Sequence, residues 1–152
     1  MIAISSCLLG LDCRYDGGDN LIEDIKILAQ TYGVIPICPE QMGGLETPRE
    51  PAEIISRQPL KVISKVGTDV TKAFVKGAEE AVKLAKDYKI EYAVLKAKSP
   101  SCGSINVYNG CFEGRLIAGR GITADYFEKQ GIRVFNENNF QELLEILEVS
   151  HG

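Results

Sequence analysis

The chain alternates between two kinds of periodicity along most of its length. Short β-branched and apolar runs occur at residues 2–6, 34–37, 62–64, 92–96 and 132–135. Stretches with apolar residues at helical spacing lie between them; Asn20 is predicted to cap the first of these helices and Thr71 the clearest one. Strands that alternate with helices form right-handed crossovers, so the strands run parallel and helices cover both faces of the sheet. The pattern predicts a Rossmann-like or flavodoxin-like α/β fold.

One segment interrupts this alternation. Residues 105–112 place the pair Asn109-Gly110 between two short runs, which is the signal of a β-hairpin with a two-residue turn. The predicted architecture is therefore a mostly parallel sheet with helices on both faces and an inserted β-hairpin. The chain has 152 residues, of which 45% are hydrophobic and 25% charged. These values are typical of a single domain, here residues 1–152.

Charge and hydrophobicity exclude several classes of partner. The formal net charge is -4, which argues against nucleic acid as the main partner because phosphate binding requires a surplus of Lys and Arg. No apolar run reaches the roughly 18 residues that a membrane span needs, and no signal-peptide pattern follows Met1. We therefore expect a cytoplasmic protein that does not bind a membrane. The sequence leaves the oligomeric state open.

The reactive side chains narrow the chemistry further. The one histidine is His151, and its place next to the C-terminus removes His-based zinc catalysis and imidazole-assisted nucleophiles from the candidates. Five cysteines without a secretory signal do not indicate a disulfide framework. Neither Cys7 with Cys13 nor Cys102 with Cys111 has the CxxC spacing of zinc ribbons and thioredoxins.

Three cysteines follow three different predicted strands. Cys7 comes after the first strand, Cys38 ends the second, and Cys102 lies just beyond the third. Parallel strands bring their carboxyl ends to one edge of the sheet, where open α/β folds bind their ligands. Three thiolates that meet there suit a Cys₃ zinc site with a bound water, or an iron–sulfur cluster with one iron left open. The chemistry of the thiolates alone does not decide between these two centres.

Residues beside two of these cysteines add possible functional groups. Glu40 lies two residues past Cys38, where its carboxylate could act as an acid or base next to the metal. Serines, including Ser101, surround Cys102, and Gly103 permits a turn that exposes backbone N–H groups. Such donors stabilise a thiolate and form hydrogen bonds with cluster sulfides.

Three further residues keep more than one interpretation. Arg14 and Arg49 lie in Gly- and Pro-rich loops, where each could grip a planar substrate or phosphate, or pair with a carboxylate (Asp12, Asp16 or Glu46). Cys13 shares a loop with Cys7, so it is a ligand in place of Cys7, a redox partner or a packed thiol. Cys111 is expected to be an ordinary residue beside the hairpin turn.

A set of short motifs occurs in a characteristic order between residues 4 and 135. They are Ser5-Ser6-Cys7-Leu8-Leu9-Gly10, Cys13-Arg14-Tyr15-Asp16-Gly17, Cys38-Pro39-Glu40, Gly43-Gly44, Thr47-Pro48-Arg49, Asp69-Val70-Thr71, Leu95-Lys96 and Ser99-Pro100-Ser101-Cys102-Gly103. Together they resemble a family of small domains, long catalogued as of unknown function, that includes the 2-thiouracil desulfurases. Each motif is weak alone, but the ordered set is highly specific and covers nearly the whole chain.

This resemblance implies both a cofactor and a reaction. It implies a 4Fe-4S cluster held by Cys7, Cys38 and Cys102, with the fourth iron open to the sulfur of a substrate. It implies that Glu40 is an acid–base residue and that Ser101 belongs to the active site. The implied partner is a small thiolated pyrimidine, 2-thiouracil or a related nucleobase or nucleoside. The implied reaction gives the oxo-pyrimidine and sulfide without a net redox change.

Two departures from the family pattern and two rival functions accompany this interpretation. Ser6 stands where the family more often has Ala, and Glu46 where it more often has Pro, so Glu46 could alter the charge preference for substrate. One rival is a non-catalytic iron–sulfur carrier or redox sensor, in which Cys13 or another residue completes the ligation. The other rival is a Cys₃ zinc domain or a plain nucleotide-binding domain.

Overall fold

The computed structural model describes residues 1–11, 15–18 and 22–151, with side chains described through residue 148. Helices and strands alternate along the chain. In order they are β1 (Ile2–Ser5), a 3-10 turn (Ser6–Leu9), α1 (Glu23–Thr31), β2 (Val34–Ile37), α2 (Pro39–Met42), β3 (Ala52–Arg57), β4 (Leu60–Ser64), α3 (Thr71–Asp87), β5 (Tyr92–Val94), β6 (Asn106–Tyr108), β7 (Leu116–Ala118), α4 (Ile122–Lys129), β8 (Arg133–Phe135) and α5 (Phe140–His151). Within the described residues, no helix is long and apolar enough to span a membrane.

The centre of the molecule is a four-stranded parallel sheet in the order β2-β1-β5-β8. Ile2 of β1 pairs with Val34 on one side and with Tyr92 on the other. The chain leaves β1 for one neighbour and later returns to its other side, so the strand order reverses at β1. Such a switch point opens a crevice at the carboxyl ends of the strands. The predicted α/β fold is confirmed, and the strand order is of the flavodoxin type.

Helices cover both faces of this sheet because side chains alternate across each strand. Ile2 and Ile4 of β1 pack in one core cluster with residues of α1 and α5, including Ile25 and Leu143. Ala3, between them, packs in a second cluster with residues of α3 and α4, including Phe127. The short side chain of Ala3 belongs to the face where small residues predominate, such as the alanines of α3.

Two antiparallel hairpins stand beside the parallel sheet. The first pairs β3 with β4, and the sequence predicted only a short strand at residues 62–64 in this region. The second pairs β6 with β7 and confirms the inserted hairpin, but the predicted two-residue turn at Asn109-Gly110 is wrong. Residues 109–115 connect β6 to β7 instead. Gly110 has a φ of 90°, and a Cβ there would lie 2.7 Å from the Ile54 carbonyl oxygen, so this glycine serves close packing against β3.

Helix α3 begins differently from the prediction. Thr71 was expected to cap it, but Thr71 is its first residue and Val70 occupies the N-cap position. The backbone N–H of Thr71 donates to Asp69 Oδ1 at 2.9 Å. Hydrogen bonds from the Thr71 side chain and then from its backbone lower the pKa of the Asp69 carboxyl below its ordinary value. The predicted cap of α1 at Asn20 lies outside the described residues.

Helix α2 packs unusually close to α3 through two glycines. A Cβ on Gly43 would overlap the carbonyl oxygen of Ala73, and a Cβ on Gly77 would overlap that of Pro39. Any larger side chain at either position would therefore push the two helices apart. The contact fixes α2 directly after β2, and Glu40 lies in its first turn.

Candidate active site

A cavity of about 340 Å³ opens beyond the carboxyl ends of β1, β2 and β5. Its wall includes Cys7, Cys38 and Cys102 together with two carboxylates, Glu40 and Glu53. Cys7 and Cys102 are buried, and Cys38 is partly exposed. The structure thus brings together the three cysteines that the sequence places after three different strands, and it brings Glu40 to the same cavity.

Each of the first two cysteines occupies a tight bend immediately after its strand. Cys7 lies in the 3-10 turn that follows β1, and its carbonyl oxygen accepts the N–H of Gly10 at 3.2 Å. Gly10 ends the turn in the left-handed conformation, with a φ of 91°. Cys38 occupies the N-cap position of α2, and Pro39 supplies the first helical residue. Both thiols are therefore held by backbone that changes direction at the edge of the sheet.

The loop that carries Cys102 is organised by Ser99. The hydroxyl of Ser99 accepts the backbone N–H of Ser101 at 3.1 Å and that of Cys102 at 3.0 Å. The backbone N–H of Gly103 donates to the Ser99 carbonyl oxygen at 2.9 Å. The expectation that this turn leaves N–H groups open for a cluster is therefore wrong for these three residues, because all three bond within the loop. Their bonds fix the direction of the Cys102 side chain.

Ser101 lies apart from the cavity. Its side chain is buried, and its Oγ is 2.7 Å from Thr123 Oγ1 in α4. Its carbonyl oxygen accepts the N–H groups of Thr123 and Ala124. Ser101 is not among the residues that line the cavity. The contacts of Ser101 anchor the Cys102 loop to α4, and its predicted catalytic role stays a prediction.

The electrostatics of Cys102 reflect its neighbours. Burial raises the pKa of the Cys102 thiol far above its ordinary value, and a side-chain hydrogen bond with Ser5 opposes this effect. Negative charge on Glu40, Cys7 and Cys38 raises that pKa further, because all three groups are close to Cys102. A positively charged metal centre is the partner that would stabilise such a group of thiolates.

The donor atoms of the cavity bear on the kind of metal centre that it fits. Among the described residues, no three His, Cys, Asp or Glu side chains are placed to hold one metal ion. The cavity presents three thiols, and an entirely sulfur donor set is what iron–sulfur clusters require. The donor set therefore fits a cluster held by Cys7, Cys38 and Cys102.

Glu40 is held in place by Arg49. Glu40 Oε2 lies 3.2 Å from Nη2 of Arg49, whose side chain is 8% exposed. Arg49 Nη1 also donates to Thr47 Oγ1 at 2.9 Å and to the Glu46 carbonyl oxygen at 3.2 Å. Arg49 thus pairs with a carboxylate of the cavity wall, Glu40, which was not among the partners expected from the sequence. Cys13 and Arg14 lie outside the described residues.

Three charged residues of the cavity wall were given no role in the sequence analysis: Glu53, Lys98 and Lys96, the last of which it named only within a motif. Lys96 follows β5, and its Nζ lies 2.8 Å from Glu137 Oε2 and 3.1 Å from the Ala97 carbonyl oxygen. Glu53 lies on β3 and is buried. The position of Lys96 at the end of the third strand could have indicated that its charge lies at the cavity wall. No such indication existed for Glu53, because the strand that carries it was not predicted.

Comparison with known proteins identifies the family of this chain. The family model described as 2-thiouracil desulfurase matches residues 2–139. A protein of Bacillus subtilis (strain 168) named YbbK, itself uncharacterized, is 40% identical over 151 residues, which are 95% of this chain and 100% of that protein. A solved structure named [4Fe-4S]-dependent thiouracil desulfidase TudS has a TM-score of 0.90 and 41% identity, with 97% of each chain covered. The chain belongs to the 2-thiouracil desulfurase family.

Proposed function

We propose that this protein is an iron–sulfur-dependent enzyme that removes sulfur from a thiolated pyrimidine such as 2-thiouracil. The observation that carries the proposal is the meeting of Cys7, Cys38 and Cys102 with Glu40 around one cavity. Membership of the family and the likeness to TudS support it. Thiolate ligation requires reduced cysteines, which favours the cytoplasm as the place of action.

Cys7, Cys38 and Cys102 are the proposed ligands of a 4Fe-4S cluster. Cys111, the other cysteine among the described residues, is exposed on the connection between β6 and β7 and does not line the cavity. Three thiolates leave one iron of such a cluster without a cysteine ligand. When bound, the cluster supplies a Lewis-acidic iron that takes the substrate sulfur and makes the thiocarbonyl carbon electrophilic.

Glu40 is the proposed acid–base residue. The Arg49 guanidinium fixes its carboxylate at the cavity wall, where it accepts a proton from the attacking water and returns it to the departing sulfur. The reaction exchanges a C=S bond for a C=O bond. Water supplies the oxygen, and its two protons leave with the sulfur as hydrogen sulfide, so no electrons are gained or lost.

Lys96 is placed to orient the substrate. Its ammonium group has three N–H donors, and Glu137 and the Ala97 carbonyl oxygen accept two of them. The third is available to a carbonyl oxygen of the pyrimidine, because Lys96 belongs to the cavity wall. Glu137 also accepts the N–H of Ala97 at 2.7 Å, so one carboxylate fixes both the Lys96 side chain and its loop.

Anaerobic reconstitution followed by a turnover assay tests this function. Protein loaded with iron and sulfide is incubated with 2-thiouracil, and uracil and sulfide are measured separately. The expected result is equal amounts of uracil and sulfide, with no product from protein that received no iron. A stable cluster that forms without any uracil would contradict the proposal and favour the iron–sulfur carrier. A colourless protein that binds only zinc would favour the Cys₃ zinc domain.

A further inference from the structure

Glu53 is a second carboxylate in the cavity wall, and the reaction proposed above does not use it. Glu53 is 8% exposed and lies on β3, which is not part of the parallel sheet that the three cysteines follow. Glu53 Oε1 accepts the backbone N–H of Gly110 at 2.9 Å and that of Phe112 at 3.3 Å. These two bonds hold the 109–115 connection against β3.

The second oxygen of this carboxylate has no donor in the part of the chain that the structure describes. The bonds from Gly110 and Phe112 both end on Oε1. Of the three cations in the wall, Arg49 pairs with Glu40 and Lys96 with Glu137. The third, Lys98, forms no hydrogen bond or ion pair with Glu53 among the described residues. Because Glu53 lines the cavity, a ligand bound there can supply a donor to Oε2.

We propose that Glu53 determines specificity by accepting a hydrogen bond from a ring N–H of the thiolated pyrimidine. This inference rests on the proposed function. In 2-thiouracil the carbon that bears sulfur stands between two N–H groups, so a substrate held by its sulfur presents a donor on either side. A carboxylate only accepts hydrogen bonds, so it discriminates against a ring nitrogen that carries an alkyl group or a lone pair.

The substitution Glu53→Gln separates this role from that of a structural clamp. The amide oxygen of Gln still accepts the N–H groups of Gly110 and Phe112, so the connection stays bound to β3. Its NH₂ group replaces Oε2 and meets the ring N–H donor to donor. Glu113→Gln is the matched control, because Glu113 is exposed on the same connection, accepts from Asn109 Nδ2 at 2.6 Å and does not line the cavity.

The experiment compares 2-thiouracil with its 1-methyl and 3-methyl derivatives on cluster-loaded wild type, E53Q and E113Q. The wild type is expected to lose roughly 10- to 100-fold in kcat/KM on one of the two derivatives, the effect of removing a hydrogen bond to a charged group. E53Q should show a similar loss on 2-thiouracil and no further loss on that derivative. E113Q should match the wild type, and all three proteins should share one cluster spectrum and one unfolding midpoint.

Two results would overturn the inference. One is an equal kcat/KM of the wild type on 2-thiouracil and on both methyl derivatives, which can be measured without any variant. The other is a loss in E53Q of the same size on all three substrates. Calorimetric binding of uracil keeps this test distinct from that of the proposed function. A wild type that yields no uracil refutes the desulfurase, whereas uracil binding weakened roughly 10-fold or more by E53Q still supports Glu53 as a pyrimidine acceptor.

Discussion

The cavity has two walls that are built in different ways. The sheet-edge wall consists of Cys7, Cys38 and Cys102, which follow the carboxyl ends of three parallel strands. The hairpin wall consists of Glu53 on β3 and Tyr108 on β6. Parallel pairing brings Cys7 and Cys38 together directly, and Cys102 joins them on the loop after β5 that Ser99 fixes. The hairpin wall depends on contacts between two separate hairpins, such as the bond from Gly110 to Glu53.

The chemistry of the two walls differs in the same way. The sheet-edge wall carries three thiols, the donors that an iron–sulfur cluster requires. The hairpin wall carries a carboxylate and a phenol, which suit hydrogen bonds to a polar ring. Glu40 and Arg49 lie between them on α2 and the loop that follows it. We infer that the sheet-edge wall holds the cofactor and that the hairpin wall selects the substrate.

The largest effect is expected from breaking the sheet-edge wall. Cys38→Ala removes one of three ligands, so anaerobically reconstituted protein should lose its bound iron, its visible absorption and its turnover of 2-thiouracil. Iron analysis and absorption spectra measure this directly. The control is Cys111→Ala, because Cys111 is exposed and away from the cavity. A Cys38→Ala protein with the full iron content of the wild type would refute the assigned ligand set.

The next effect lies between the walls, at Glu40. Glu40→Gln keeps an oxygen for Arg49 but cannot accept a proton, so kcat should fall roughly 10²- to 10⁴-fold while the cluster spectrum is unchanged. Steady-state kinetics of uracil formation provide the measurement. Glu50→Gln is the control, because Glu50 is an exposed neighbour of Arg49. Equal rates in the wild type and Glu40→Gln would exclude an acid–base role for Glu40.

A smaller effect is expected from disturbing the support of Glu40 rather than Glu40 itself. In Gly77→Ala the new Cβ overlaps the Pro39 carbonyl oxygen and pushes α2 away from α3. We expect a loss of about 1–3 kcal/mol in the free energy of unfolding, the usual cost of overpacking. Urea unfolding of Gly77→Ala and of the exposed control Lys76→Ala measures it. Gly77→Ala as stable as Lys76→Ala would mean that the close contact of these helices is not needed.

The smallest effect concerns the start of α3, beyond the hairpin wall. Hydrogen bonds with Thr71 lower the pKa of Asp69, so the folded state favours the Asp69 carboxylate. Its stabilisation is present above the unfolded-state pKa and disappears as the pH falls through the lower folded-state pKa. Asp69→Asn should therefore lower the unfolding midpoint slightly at pH 7 and not at acid pH.

Thermal unfolding midpoints of the wild type and Asp69→Asn, measured between pH 7 and pH 2.5, test this expectation. The control is Asp87→Asn at the far end of α3, where the side chain is also exposed. Asp87→Asn should not lower the unfolding midpoint at pH 7. A difference in unfolding midpoint between the wild type and Asp69→Asn that is constant across the pH range would contradict the role given to the hydrogen bonds between Asp69 and Thr71.

The contrast between the walls also explains what the sequence could predict. The parallel sheet follows from local periodicity, and so does the meeting of the three cysteines, because Cys7 and Cys38 closely follow β1 and β2 and Cys102 lies on the loop after β5. Glu53 accepts a hydrogen bond from Gly110, which lies 57 residues later in the chain, and a local sequence pattern does not predict such a contact. Asn109-Gly110 misled the turn prediction because Gly110 adopts positive φ to approach β3 closely.

Ser101 shows a second limit of prediction from the sequence, which is the direction of a side chain within a tight loop. Its position next to Cys102 and the family resemblance both indicated the active site, but neighbouring residues of a tight loop point in different directions. The Ser101 hydroxyl lies against Thr123 while Cys102 lines the cavity. The backbone bonds to Ser99 produce this difference, and a linear motif does not show them.

Mössbauer spectroscopy of protein loaded anaerobically with ⁵⁷Fe tests the central claim most directly. If Cys7, Cys38 and Cys102 hold a 4Fe-4S cluster with one iron open to the cavity, 2-thiouracil should change the signal of one iron in four and leave the other three unchanged. A spectrum of four irons that is identical with and without 2-thiouracil, or a protein that binds no iron at all, would contradict it.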